Sequence, residues 1–89
     1  MKKIYIEKPD NKKLEELGVT KWGTWECEPS TFPWEYDSTE TCYILEGKAR
    51  VKTPEEEVEF EKGDLVVFPE GLTCEWKVID KIRKYYKFS

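Results

Sequence analysis

Within residues 34–47, WEYDSTETCYILEG, a carboxylate at Glu40 and a thiol at Cys42 stand in step with Ile44. On a strand over residues 40–45 these three side chains share one face, because alternate residues of a strand point the same way. A second thiol, Cys74, follows in GLTCEW, and the closing run IRKYYKF contributes Arg83, Lys84 and Tyr86. An inward carboxylate can act as general acid or base, and an inward thiol as nucleophile or soft-metal ligand. The candidate catalytic set is therefore Glu40, Cys74, Cys42 and Lys84. Each residue also has a plain structural role open to it. Glu40 can be one half of a core ion pair, and a free cysteine usually packs as a small hydrophobe. Cys27 is read in that second way.

Histidine is absent, which removes both the commonest general base and the commonest metal ligand at neutral pH. No tightly bound metal is expected. Zinc at low occupancy, held by Glu40, Cys42 and Cys74, is the one exception the donor types allow. In the last strand Ile82, Lys84, Tyr86 and Phe88 alternate against Arg83, Tyr85 and Lys87. The first set is the more apolar and is expected to face inward, making Lys84 the cation for Glu40. Arg83 is the alternative, placed at a rim where it could take a ligand carboxylate. Trp34, Tyr36 and Trp76 fall on the same face and complete a candidate ligand-binding set with Arg83 and Tyr86. Trp22, Trp25, Phe32 and Phe68 are assigned to the core.

These side chains need short strands to hold them. Turn residues recur every eight to twelve positions, the pattern of an all-β sandwich or barrel. Strands are expected at Lys3–Glu7, Trp22–Glu28, Thr31–Tyr36, Glu40–Leu45, Lys48–Thr53, Val58–Phe60, Leu65–Phe68, Thr73–Val78 and Arg83–Phe88. Asp10 or Asn11 caps a helical turn through KKLEEL that Gly18 ends. Glu46-Gly47 reads as a two-residue hairpin loop pairing Ile44 with Ala49, Cys42 with Val51 and Glu40 with Thr53. One face then carries Glu40, Cys42, Ile44, Ala49, Val51 and Thr53. Tyr43 and Leu45 point outward, an apolar pair open to a protein partner, a second copy of the chain or the N-terminal segment. The run EEEVEFEKGD reads as a solvated hairpin.

Eighty-nine residues suffice for one domain, 1–89. The 15 basic and 19 acidic residues leave a net charge of −4 with no basic stripe, which argues against nucleic acid. No apolar run is long enough to span a membrane, and the first residues lack a signal-peptide core. Three cysteines without a CxxC pair fit neither a disulfide framework nor a zinc ribbon. The expected partner is a small molecule, the expected compartment the cytoplasm, and the expected state a monomer or homodimer.

Two spaced motifs resemble those of cupins. Cupin motif one has the form G-x5-H-x-H-x(3,4)-E-x6-G, and Glu40 with Gly47 matches its E-x6-G. Motif two has the form G-x5-P-x-G-x2-H-x3-N, and Gly63, Pro69 and Gly71 match its first part. The motifs span about 34–47 and 63–78. This resemblance implies a small cupin-type jelly-roll β-barrel with the site inside it. It also implies a departure, since the metal-binding histidines of motif one fall on Trp34 and Tyr36 and that of motif two on Cys74. The wording of the chain is similar to the cupin domain of (S)-ureidoglycine aminohydrolase. That likeness implies a small-molecule-binding protein, possible as an enzyme on a nitrogen-containing or carboxylate metabolite. The competing expectation is a non-catalytic ligand sensor or a structural cupin domain without a metal site.

Overall fold

The computed structural model describes residues 3–89. After β1 (Tyr5–Glu7) comes α1 (Asn11–Leu17), whose first turn is capped by the Asp10 carboxylate accepting from Lys13 N–H at 2.9 Å. Gly18 ends it in the left-handed region at φ 69°, where its N–H reaches back to the Leu14 and Glu15 carbonyls. A 3-10 turn at Val19–Lys21 leads into β2 (Gly23–Cys27), β3 (Ser30–Glu35) and β4 (Glu40–Lys52). The chain continues through β5 (Glu57–Glu61), β6 (Leu65–Phe68) and β7 (Thr73–Phe88).

Two long strands organise everything else. β4 and β7 run antiparallel along nearly their whole lengths, from Glu40 opposite Phe88 to Lys52 opposite Glu75. Each changes its outer neighbour midway. The first half of β4 pairs with β6, which carries β1, and its second half pairs with β5. The second half of β7 pairs with β2 and its first half with β3. The result is an antiparallel jelly roll whose two layers share the β4–β7 ribbon. Among the described residues no helix is long and apolar enough to cross a membrane.

The hairpin expected at Glu46-Gly47 does not form, nor does a break at Asp80. Both segments lie inside continuous strands, where the β4–β7 register shifts between Ile44 and Ala49. Gly47 takes φ +92°, and a Cβ there would lie 2.1 Å from the Lys81 carbonyl oxygen and 2.7 Å from Ile82 Cα. Glycine is required because the two backbones touch as the ribbon bends from one layer to the other. The irregularity also shifts the inward parity of β4. Glu40, Cys42 and Ile44 are buried before it, Ala49 and Val51 after it. The expected inward face is therefore present, although the pairings proposed for it are not. Cys42 lies opposite Val66 and Tyr86, and Glu40 opposite Phe68 and Phe88.

A single apolar cluster fills the space between the layers, with Ile44, Val51, Phe60, Val66, Phe68, Trp76 and Ile82 fully or almost fully buried. Tyr36 stacks on Phe68 at 4.9 Å, and Phe60 meets Trp76 edge-on at 5.4 Å. The acidic run is less simply solvated than its composition suggests. Phe60 is a core residue, and the buried Asp64 carboxylate accepts from Glu61 N–H at 2.8 Å and from Lys8 Nζ at 2.7 Å. Tyr43 and Leu45 sit on the outer side, each only half-exposed.

Candidate functional site

Glu40 opens β4 and Lys84 lies in the second half of β7, both on the inward face. Lys84 Nζ donates to Glu40 Oε2 at 2.7 Å, with 6% and 5% of the two side chains exposed. Two indoles flank the ammonium, its nitrogen lying 4.9 Å from the Trp25 ring centre and 4.8 Å from that of Trp76. Charge taken out of water is costly unless a counter-ion and further polar contacts replace the lost solvation. Here a carboxylate and two electron-rich ring faces do so.

The pair forms the floor of a cavity of about 250 Å³. Its walls are aromatic: Trp25, Phe32, Trp34, Tyr36, Trp76, Tyr86 and Phe88. Trp34 and Phe88 stand at the mouth with about half their surfaces in water, 49% and 51%. Trp76 Nε1 donates to the Tyr36 hydroxyl at 3.1 Å, which fixes both rings. Burial, reinforced by the charge of Glu40, pushes the Tyr36 phenol far above its ordinary range, so it stays neutral.

The structure thus brings together Glu40, Lys84, Trp34, Tyr36, Trp76 and Tyr86 from the expected set. Trp25 and Phe32, assigned to the core from sequence, are half-buried: they pack against the apolar cluster and also wall the cavity, where Phe88 joins them. The signal for Trp25 was present in the alternation of WGTWECE, which places it opposite Lys84 once β2 pairs with β7. Trp22 is not core: it lies half-buried on the surface under Lys87 Nζ, 5.6 Å away. Arg83 does not reach the cavity. It alternates outward beside Lys84, is exposed, and pairs with Glu46 at 2.7 Å.

Cys42 and Cys74 are buried, but behind the cavity rather than on its lining. Burial pushes the Cys42 thiol up to about 12, against a smaller opposing pull from Lys84, and the Cys74 thiol up to about 11 with help from Glu40. Neither is an activated nucleophile at neutral pH. The unfolded chain releases these protons from about pH 8.5. Their contribution to stability is therefore complete below that pH and is lost as pH rises towards the native values of about 11 and 12. Iodoacetamide at neutral pH should modify the half-buried Cys27 first. Cys42 and Cys74 should react at the rate of a free thiol only in denaturant. Rapid native alkylation of Cys74 would contradict this picture.

The residues do not fit the metal of histidine-bearing cupins. Of the four positions that resemblance points to, Trp34 is a half-exposed indole, Tyr36 is engaged with Trp76, and Cys74 is a protonated thiol. Among the described residues no three cysteine, aspartate or glutamate side chains converge on one point, so Glu40, Cys42 and Cys74 do not form a zinc site. The positive charge beside Glu40 is the Lys84 ammonium.

Residues 14–86 match the family model of the EutQ-like cupin domain. A DUF861 family protein from Thermotoga maritima is 53% identical, with a TM-score of 0.96 and coverage of 98% of this chain and 100% of that one. The Clostridium difficile EutQ protein is 23% identical over 98% of this chain and 68% of its own, with a TM-score of 0.69. A cupin-2 domain containing protein from Shewanella frigidimarina shares 16% identity over 74% and 67% of the two chains, at a TM-score of 0.62. The last two likenesses are of fold alone. No curated protein matches the chain.

Proposed function

The chain belongs to the EutQ-like cupin domain family, and from that premise we propose that it binds a small molecule in the aromatic cavity above Glu40 and Lys84. One observation carries this reading: a buried ion pair lines an aromatic cavity of which two walls, Trp34 and Phe88, are half exposed to solvent. Apolar walls with a few convergent polar groups are the usual construction of a metabolite site. At about 250 Å³ the cavity suits a compact metabolite rather than a nucleotide-sized one.

The proposal extends to catalysis on a nitrogen-containing or carboxylate metabolite, as the aminohydrolase resemblance suggests. In that case Glu40 is the acid or base, Lys84 holds it in place, and the two thiols shape the wall behind. The cytoplasm suits such a domain, because its three cysteines are free and persist so in a reducing compartment.

A thermal-shift screen over small amines, carboxylates, amides and heterocycles tests the reading, with intrinsic tryptophan fluorescence as second readout. A ligand at 100 times its Kd stabilises by about 2.7 kcal/mol. In a domain of this size that raises Tm by on the order of 10 °C. A broad panel in which no compound moves either signal would leave the cavity without a binding role.

A further inference from the structure

Resting on the binding reading above, we propose that the ligand is a small organic amine, with its ammonium on Glu40 Oε1 and its apolar body against the aromatic walls. The two carboxylate oxygens of Glu40 differ. Oε2 accepts from Lys84 Nζ at 2.7 Å. Oε1 accepts from no described residue, yet among the described residues no buried side-chain polar atom is left without a partner. Oε1 therefore meets the open space of the cavity that Glu40 lines. It is an anionic acceptor, and an acceptor calls for a donor.

Lys84 is less available to a ligand. Its ammonium is held by Glu40 and by two ring faces, so a ligand carboxylate could reach it only by displacing those contacts. The walls argue the same way. Ring faces carry partial negative charge, which attracts a cation and repels an anion. Trp34 and Phe32 present rings to the cavity that no described lysine or arginine covers. An ammonium entering past Trp34 would find those faces first and the carboxylate oxygen at the bottom.

Benzylamine and benzoate, matched in size and opposite in charge, separate the alternatives when titrated by tryptophan fluorescence and calorimetry at neutral pH. Benzylamine should bind at least tenfold more tightly than benzoate. Glu40→Gln should remove most of that preference while leaving residual binding of both aryl bodies. Should Glu40→Gln fold poorly, Glu40→Gln/Lys84→Met removes both charges together and should bind the two probes equally and weakly. Benzoate binding as tightly as benzylamine would overturn the amine assignment and leave the small-molecule reading standing. A preference for benzylamine undiminished in both variants would overturn the role of Oε1. Absence of binding by either probe would also overturn the amine assignment, and the metabolite panel would then decide the binding reading by itself.

Discussion

Gly47→Ala is expected to cost this protein about 3–5 kcal/mol, combining overpacking with a left-handed backbone that alanine resists. Few single changes do so much to a domain whose total stability is on the order of 5–10 kcal/mol. The added methyl would be placed 2.1 Å from the Lys81 carbonyl oxygen, and the obstructing atoms are backbone, not a side chain that could swing aside. Relief requires β4 and β7 to separate where both pass from one layer to the other. Gly63→Ala is the matched control. Its φ of +93° is equally left-handed, but nothing lies within 4 Å of the added carbon. It should therefore lose only the conformational part, about 1–2 kcal/mol. Urea melts of the two variants measure the difference, and equal midpoints would mean that the contact at Gly47 is not what holds the ribbon together.

Lys84→Met should cost a further large amount when made alone, about 3–5 kcal/mol, because it strands a buried carboxylate. Lys84→Met/Glu40→Gln should recover most of that loss, since replacing both partners of a buried pair is often neutral or stabilising. Glu40→Gln alone should fall between the wild type and Lys84→Met. Its amide oxygen still accepts from Lys84 Nζ, and the Trp25 and Trp76 faces, 4.9 and 4.8 Å away, still solvate the charge. The pair therefore differs in its two halves: the cation has a second means of support, whereas among the described residues the carboxylate has Lys84 as its only side-chain partner. Chemical denaturation of the three variants at neutral pH gives the order. A Lys84→Met protein as stable as the parent would show that Glu40 does not depend on its cation.

Much of the cavity lining was legible in the chain itself. Alternation is a local property of strands, so period two grouped Glu40 with Cys42 and Ile44, and Lys84 with Ile82 and Tyr86, and the more apolar company on those faces marked them as inward. The pairing of Glu40 with Lys84 followed because an inward carboxylate needs a cation and the last strand points that one inward. A cap at Asp10 or Asn11 and arrest at Gly18 were equally local, and the structure places the cap at Asp10. What escaped was decided by contacts distant in sequence. Glu46-Gly47 has the composition of a turn, and only the approach of Lys81 from β7 makes it a bend within one strand. Trp25 and Phe32 look like core residues until β2 and β3 take their places beside opposite halves of β7, leaving both rings on the cavity. Cys42 and Cys74 face inward as their spacing predicts. Facing inward does not say whether a side chain meets a cavity or another side chain, and tertiary packing put both thiols in the dry core. A strand's period determines which way a residue points, but what it points at is set by elements that arrive from elsewhere in the chain.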